Sequence, residues 1–129
     1  MILSVIVPIY NDSYLIPDFV KEFQKTLKNY ISKEDISKDV ELIFVNDGSS
    51  IDTEKEINRE ASQYSFIKVI HLSRNFGQHV ALSAGYKESS GNYIGMINVD
   101  MQESPNLIPD FLDHLINNDV DIVYGLRDE

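Results

Sequence analysis

Apolar residues fall in short blocks between polar loops, and the blocks alternate between two periods. Residues 3–7, Leu-Ser-Val-Ile-Val, are largely apolar and rich in β-branched side chains, as in a buried strand. Pro8 is expected to stop that strand, and Tyr10, Asn11, Asp12 and Ser13 make the loop. Leu15, Phe19, Phe23 and Leu27, with Val20 and Tyr30 beside them, then recur at helical spacing, and Pro17 suits the first turn of that helix. Residues 31–39 are mostly polar and read as a surface connection. Residues 40–45, Val-Glu-Leu-Ile-Phe-Val, form a second strand that runs into the turn-rich Asn46-Asp47-Gly48-Ser49-Ser50. Asp52 or Thr53 is expected to cap a second helix, whose inner face carries Ile57, Ala61 and Tyr64.

Residues 66–72 form a third strand that ends in Ser73-Arg74-Asn75-Phe76-Gly77. A helix from Gln78 to about Ser89 follows, in which Ala81, Ala84 and Gly85 allow a close approach to a sheet. Gly91 is expected as its C-terminal cap. A fourth apolar strand opens at Tyr93. Leu107, Ile108, Phe111, Leu112, Leu115 and Ile116 mark a strongly amphipathic fourth helix, started by Ser104-Pro105 or reaching its first full turn at Pro109. Residues 121–124 form a short fifth strand, and residues 125–129 run on without a closing helix.

Strand and helix thus alternate throughout. The fold class is α/β, Rossmann-like, with a mostly parallel sheet flanked by helices. Residues 1–129 read as one domain, and the missing closing helix suggests a fragment of a longer one. Right-handed crossovers place the loops after the strands on one side of the sheet. Four polar clusters therefore converge: residues 10–12, 46–50, 74–77 and 98–103.

Composition narrows the chemistry. With 11 Lys plus Arg against 21 Asp plus Glu, the net charge of -10 argues against nucleic-acid binding, which needs cations against phosphates. The chain has no cysteine, which excludes disulfides, zinc-thiolate sites and thiol catalysis. The N-terminus lacks a basic region and reads as a strand rather than a signal peptide, and no apolar run approaches membrane-spanning length. Walker, dinucleotide and Gly-x-Ser-x-Gly signatures are absent, and His71, His79 and His114 are scattered over different elements.

The most informative stretch is Tyr-Ile-Gly-Met-Ile-Asn-Val-Asp-Met-Gln, residues 93–102. An apolar strand that ends in Asn98, Asp100, Gln102 and Glu103 delivers oxygen ligands to the sheet edge where open α/β folds bind ligands. Asp100 stands where a hard cation escorting a phosphate, Mg²⁺ or Mn²⁺, wants an oxygen.

Taken together, these residues resemble the N-terminal half of the family-2 glycosyltransferases with the GT-A fold, most of all the dolichol- and undecaprenyl-phosphate sugar transferases. Val5-Ile6-Val7-Pro8-Ile9-Tyr10-Asn11 is similar to their opening strand and loop. Residues 45–53 resemble their "DDGS" loop and the acidic-Thr pair after it, with Asn46 in place of the first Asp. Leu72-Ser73-Arg74-Asn75-Phe76-Gly77 resembles "RNFG", residues 98–105 resemble "DADLQDPP", and Val123-Tyr124-Gly125-Leu126-Arg127 resembles "VYGVR".

The resemblance implies transfer of a sugar from a UDP- or GDP-sugar donor to a lipid-phosphate or glycan acceptor. It also implies that residues 1–129 are an incomplete catalytic domain with little or no turnover by itself. It implies that Pro8, Tyr10 and Asp12 line the nucleotide pocket, and that Asp47, beside Gly48, accepts a hydrogen bond from the base. Arg74 then sits beside the nucleotide, and Asp100 holds Mg²⁺ or Mn²⁺ on the diphosphate, with the Gln102 amide oxygen completing the shell. Glu103 orients donor or acceptor, and Arg127 faces the acceptor phosphate. A cytoplasmic location at the inner membrane face of the full-length protein goes with such an acceptor. One departure stands out: the family's D-x-D is Asn98-x-Asp100 here, and a neutral amide is a weaker partner for a hard cation. If Asp100 alone is the direct ligand, metal binding survives weakened; if both positions ligate, it falls sharply.

Two other readings carry different expectations. A non-catalytic nucleotide-binding or assembly fragment would bind without turnover. A receiver-like signalling domain needs a phosphoacceptor Asp after the third strand and a Lys after the fifth, where this chain has Ser73-Arg74 and Tyr124-Gly125. An incomplete sheet also leaves apolar surface open, so a homo-oligomer is expected.

Overall fold

The computed structural model describes residues 1–126. Four parallel strands, β1 (Leu3–Ile9), β2 (Val40–Asn46), β3 (Ile67–His71) and β4 (Tyr93–Met96), alternate with four helices: α1 (Ile16–Ile31), α2 (Ile51–Gln63), α3 (Gln78–Glu88) and α4 (Ile108–Asn117). The strand order is β3-β2-β1-β4. The chain therefore builds outward from β1 through β2 to β3, then returns over the sheet to place β4 on the other side of β1. This reversal makes the β1/β4 boundary the topological switch point, where the loops diverge and leave a crevice at the carboxyl ends.

The sheet is buried on both faces in its middle. Leu3, Val5, Val7 and Ile9 of β1 pack with Leu42 and Phe44 of β2 against Ile16, Phe19, Val20, Phe23 and Leu27 of α1, Ile57 of α2 and Leu112 of α4. The alternate residues Ile6, Ile43 and Val45 face Ala81 of α3. The small residues of α3 serve the expected purpose: a Cβ on Gly85 would stand 2.5 Å from Ile6 Cγ2.

Several boundaries differ from the sequence expectation. Pro8 does not end β1, which continues to Ile9. Ile6 O accepts from Ile97 N at 3.1 Å, so Ile6 turns its backbone polar groups toward β4, and by alternation so does Pro8. β4 stops at Met96, the partner of Ile6, so the N–H that proline lacks has no ladder partner to lose. The cap position of α2 is Ser50, not Asp52 or Thr53, and its buried stripe is Thr53, Ile57 and Glu60, with Ala61 only partly buried and Tyr64 as the C-cap. Gly91 is not a C-cap; Ser89 holds that position, and Gly91 lies where a Cβ would meet Ser4 N at 2.5 Å. Both proposed starts of the last helix are used: Ser104 Oγ accepts from Asn106 N to cap a 3-10 turn (Pro105–Leu107), and Pro109 sits in the first turn of α4.

The expected fifth strand is not formed: residues 121–126 have no regular structure. A strand exists only through the ladder of a neighbour, and this segment instead shares a hollow with Phe111 and His114 of α4.

Candidate functional site

The carboxyl ends of the four strands carry the predicted polar clusters, and hydrogen bonds knit three of them together. The β1 loop turns through Asn11, whose φ of 58° is tolerated because asparagine visits the left-handed region. Asn11 N donates to Ser49 Oγ at 3.0 Å, and Asn11 Oδ1 accepts from Ser50 N at 2.7 Å. Ile9 O accepts from Asp47 N at 2.9 Å, closing the same junction. Pro8 and Asp12 are half-buried at this rim, and Tyr10 is 51% exposed with its ring available to a ligand.

The β2 loop is anchored from below by Asn46. Its Oδ1 accepts from Ser49 N at 3.0 Å, which fixes the amide so that Nδ2 points at His71 Nδ1, 3.0 Å away. An amide nitrogen only donates, so His71 accepts there and its Nε2–H donates to Asn58 Oδ1 at 3.0 Å. A carboxylate at position 46 could not donate to that imidazole nitrogen.

Asp47 is 4% exposed, and both its carboxylate oxygens are engaged. Oδ1 accepts from Phe76 N at 2.8 Å; Oδ2 accepts from Gly77 N at 3.1 Å and from Asn75 Nδ2 at 3.2 Å. The guanidinium of Arg74, in the same loop, lies 4.7 Å from the centre of the Phe76 ring.

The fourth loop joins through strand pairing. After Met96 the chain turns so that Val99, 3% exposed, plugs into the core while its neighbour Asp100 is exposed. Met101 has φ 64°, a strained value for a non-glycine residue, and Asp100 Oδ1 accepts from Gln102 N at 3.1 Å. Asp100 and Gln102 are exposed, whereas Asn98 and Glu103 are partly buried. Arg127 lies outside the described residues.

The donor set can be tested against a divalent cation. Among the described residues no three His, Cys, Asp or Glu side chains cluster to form a protein cage. Mg²⁺ does not need one: it is usually held by one or two carboxylates together with substrate phosphates. An exposed Asp100, with the amide oxygens of Asn98 and Gln102 in the same loop, fits that pattern.

Sequence reasoning missed the contributions of Asn11, Asn75, Asn58 and His71, which hold loops rather than reach into the crevice. Asparagine in turn positions was the available signal for the first two.

The parallel α/β architecture, with its polar loops gathered at the carboxyl ends of the strands around a topological switch point, defines the class of fold. The chain belongs to glycosyl transferase family 2, whose sequence pattern matches residues 4–129. It is 39% identical over 119 residues to a bactoprenol glucosyl transferase of Shigella phage SfV, covering 90% of this chain and 34% of that protein. It is 36% identical over 109 residues to an undecaprenyl-phosphate 4-deoxy-4-formamido-L-arabinose transferase of Salmonella choleraesuis, covering 83% and 31%. The chain thus spans about a third of the length of these relatives.

Among solved structures, the fold is shared with the mannosyltransferase PcManGT of Pyrobaculum calidifontis in complex with GDP-Man and Mn²⁺ (TM-score 0.70, 17% identity, 88% of this chain and 32% of that one). It is shared also with residues 1–349 of S. aureus TarS in complex with UDP-GlcNAc (TM-score 0.65, 21% identity, 91% and 32%). The expected GT-A-type α/β fold and family are therefore those of this chain.

Proposed function

We propose that this chain is the donor-binding part of a glycosyltransferase that moves a sugar from a nucleoside-diphosphate sugar to a polyprenyl-phosphate acceptor. The observation that carries the reading is the topological switch point between β1 and β4, with the exposed Tyr10 in the loop after β1 and Asp100, next to the buried Val99, in the loop after β4. The relatives named for bactoprenol and undecaprenyl phosphate support the acceptor class, and the GDP-Man and UDP-GlcNAc complexes support a nucleotide-sugar donor.

Pro8, Tyr10 and Asp12 line one side of the nucleotide pocket, and Arg74 flanks the nucleotide. Asp100 and Gln102, with Asn98 nearby, would hold Mg²⁺ or Mn²⁺. A cation held there would supply positive charge against the negative charge that builds on the departing nucleoside diphosphate. The acceptor phosphate oxygen attacks the anomeric carbon as the bond to the diphosphate breaks, so the chain need supply no nucleophile. Glu103 orients donor or acceptor, and Arg127 faces the acceptor phosphate. No helix among the described residues is long and apolar enough to cross a membrane; a lipid acceptor would bring the full-length protein to the inner membrane face. Ile94 and Met96, exposed on the open edge strand, are the surface through which a homo-oligomer would form.

Calorimetric titration with UDP and GDP, each with and without Mn²⁺, tests the reading on wild type and Asp100→Ala. Metal-dependent binding is expected in the wild type and a drop of roughly tenfold or more in the variant, about 1.4 kcal/mol. Wild-type chain that binds neither nucleotide would sink it.

A further inference from the structure

Resting on the donor-site reading above, we propose that Asp47 and Gly48 are positioning residues: they build the Arg74 loop onto the end of β2, and Asp47 serves nucleotide binding through Arg74 rather than by touching the base. Two independent features of the structure support this. The first is hydrogen bonding. The Asp47 carboxylate accepts from Phe76 N, Gly77 N and Asn75 Nδ2, and Asn75 Nδ2 donates also to Asp47 O at 3.1 Å. Gly77 is the N-cap of α3, so this buried anion also sits at the positive end of that helix. A carboxylate so occupied, at 4% exposure, has little left to offer a ligand.

The second is steric. Gly48 has φ +71°, and a Cβ there would lie 2.2 Å from Asn75 N and 2.3 Å from the Arg74 carbonyl carbon. The two backbones are in direct contact, and only glycine permits it. Arg74 is thereby held on a short, doubly fastened loop. Its guanidinium is exposed, and among the described residues it makes no ion pair, so it is available to an anionic or carbonyl-bearing ligand. The consequence is a division of labour within the loops: the buried acid sets the loop, and the exposed cation meets the ligand.

Two measurements on residues 1–129 separate this from direct base recognition. In amide hydrogen exchange, Asp47→Ala should speed exchange at Phe76 and Gly77 by about tenfold or more while β1 and α1 amides keep their protection. In UDP and GDP titrations with Mn²⁺, Asp47→Ala and Arg74→Ala should each weaken binding about tenfold, and the double variant should bind no more weakly than the weaker single, because both act through one contact. The ratio of UDP to GDP affinity should not change. Unchanged exchange, additive losses, or a shifted ratio would each overturn the proposal. If circular dichroism shows that Asp47→Ala does not fold, Asp47→Asn gives the exchange test at the same side-chain volume, because one amide oxygen can no longer accept from both Phe76 N and Gly77 N. Wild-type chain that binds neither nucleotide overturns the donor-site reading and the coupling to Arg74, while the exchange result still decides whether Asp47 builds the loop.

Discussion

The two ends of the same sheet solve opposite problems. At the amino end, Glu41 is 5% exposed and fully enclosed by protein donors. Its Oε2 accepts from Ser4 Oγ and from Ser90 N, each at 2.6 Å, and Lys68 Nζ lies 3.1 Å from Oε1. Ser4 Oγ in turn accepts from Gly91 N at 2.8 Å, which is why Gly91 must lie against β1. At the carboxyl end, three loops are satisfied by one another and the fourth turns Asp100 outward. A carboxylate is thus a closed structural pin at one end and an exposed group at the other. The difference lies in the donors the fold brings to each carboxylate, Ser4 Oγ, Ser90 N and Lys68 Nζ at Glu41 against Gln102 N at Asp100, not in the carboxylate.

The largest expected effect comes from breaking the closed end. Glu41→Ala orphans buried donors on Ser4 and Ser90, and should cost about 3 kcal/mol in chemical denaturation, with nucleotide affinity of the folded fraction unchanged. A loss of affinity equal to that at Asp100 would show that the two ends are not independent. The same group sets a pH dependence. Burial would raise the Glu41 pKa, but the hydrogen bonds from Ser4 and Ser90 and the Lys68 ammonium outweigh it and hold it below its ordinary 4.5. Its contribution is therefore complete above pH 4.5 and is lost as pH falls through the lower folded value. Glu41→Gln should flatten that acid limb of the stability curve.

Next in size is the engaged part of the open end. Gly48→Ala must push Arg74 and Asn75 away and occupy a strained φ, so about 2 kcal/mol of stability should go, together with nucleotide binding. Unchanged affinity would detach the Arg74 loop from the donor site.

The smallest effect sharpens the comparison from outside both ends. Glu60 lies buried on α2, where burial raises its pKa, opposed by Arg59 and reinforced by Glu56. A raised carboxylate costs stability as pH climbs above its ordinary 4.5 through the folded value. Glu60→Gln should therefore gain stability at pH 7, by about 1 kcal/mol or less, and gain nothing near pH 3. An equal gain at both pH values would mean that side-chain packing, not charge, is responsible.

The alternating periods made β1 to β4 and α1 to α4 legible, because strand and helix burial are printed in the spacing of Val, Ile, Leu and Phe. The motif residues at the strand ends were legible for the same reason: in a parallel sheet with right-handed crossovers, every such loop must fall on one edge. The phase of α2 was not legible, since Glu60 rather than Ala61 completes the stripe begun at Thr53 and Ile57. A charged residue at a buried position contradicts the hydrophobic pattern that sequence reasoning relies on. The extension of β1 through Pro8 was equally hidden, because it depends on β4 being only four residues long.

By itself, then, the sequence determined the class of fold, the family and the set of polar residues gathered at one edge. Only the tertiary structure decided which of those residues are engaged and which are presented. Residues far apart in the chain, Asp47 with Phe76 and Gly77, and Ser4 with Glu41 and Ser90, become partners only when the strands lie side by side. A carboxylate's role follows from the donors around it, and those donors belong to other segments of the chain.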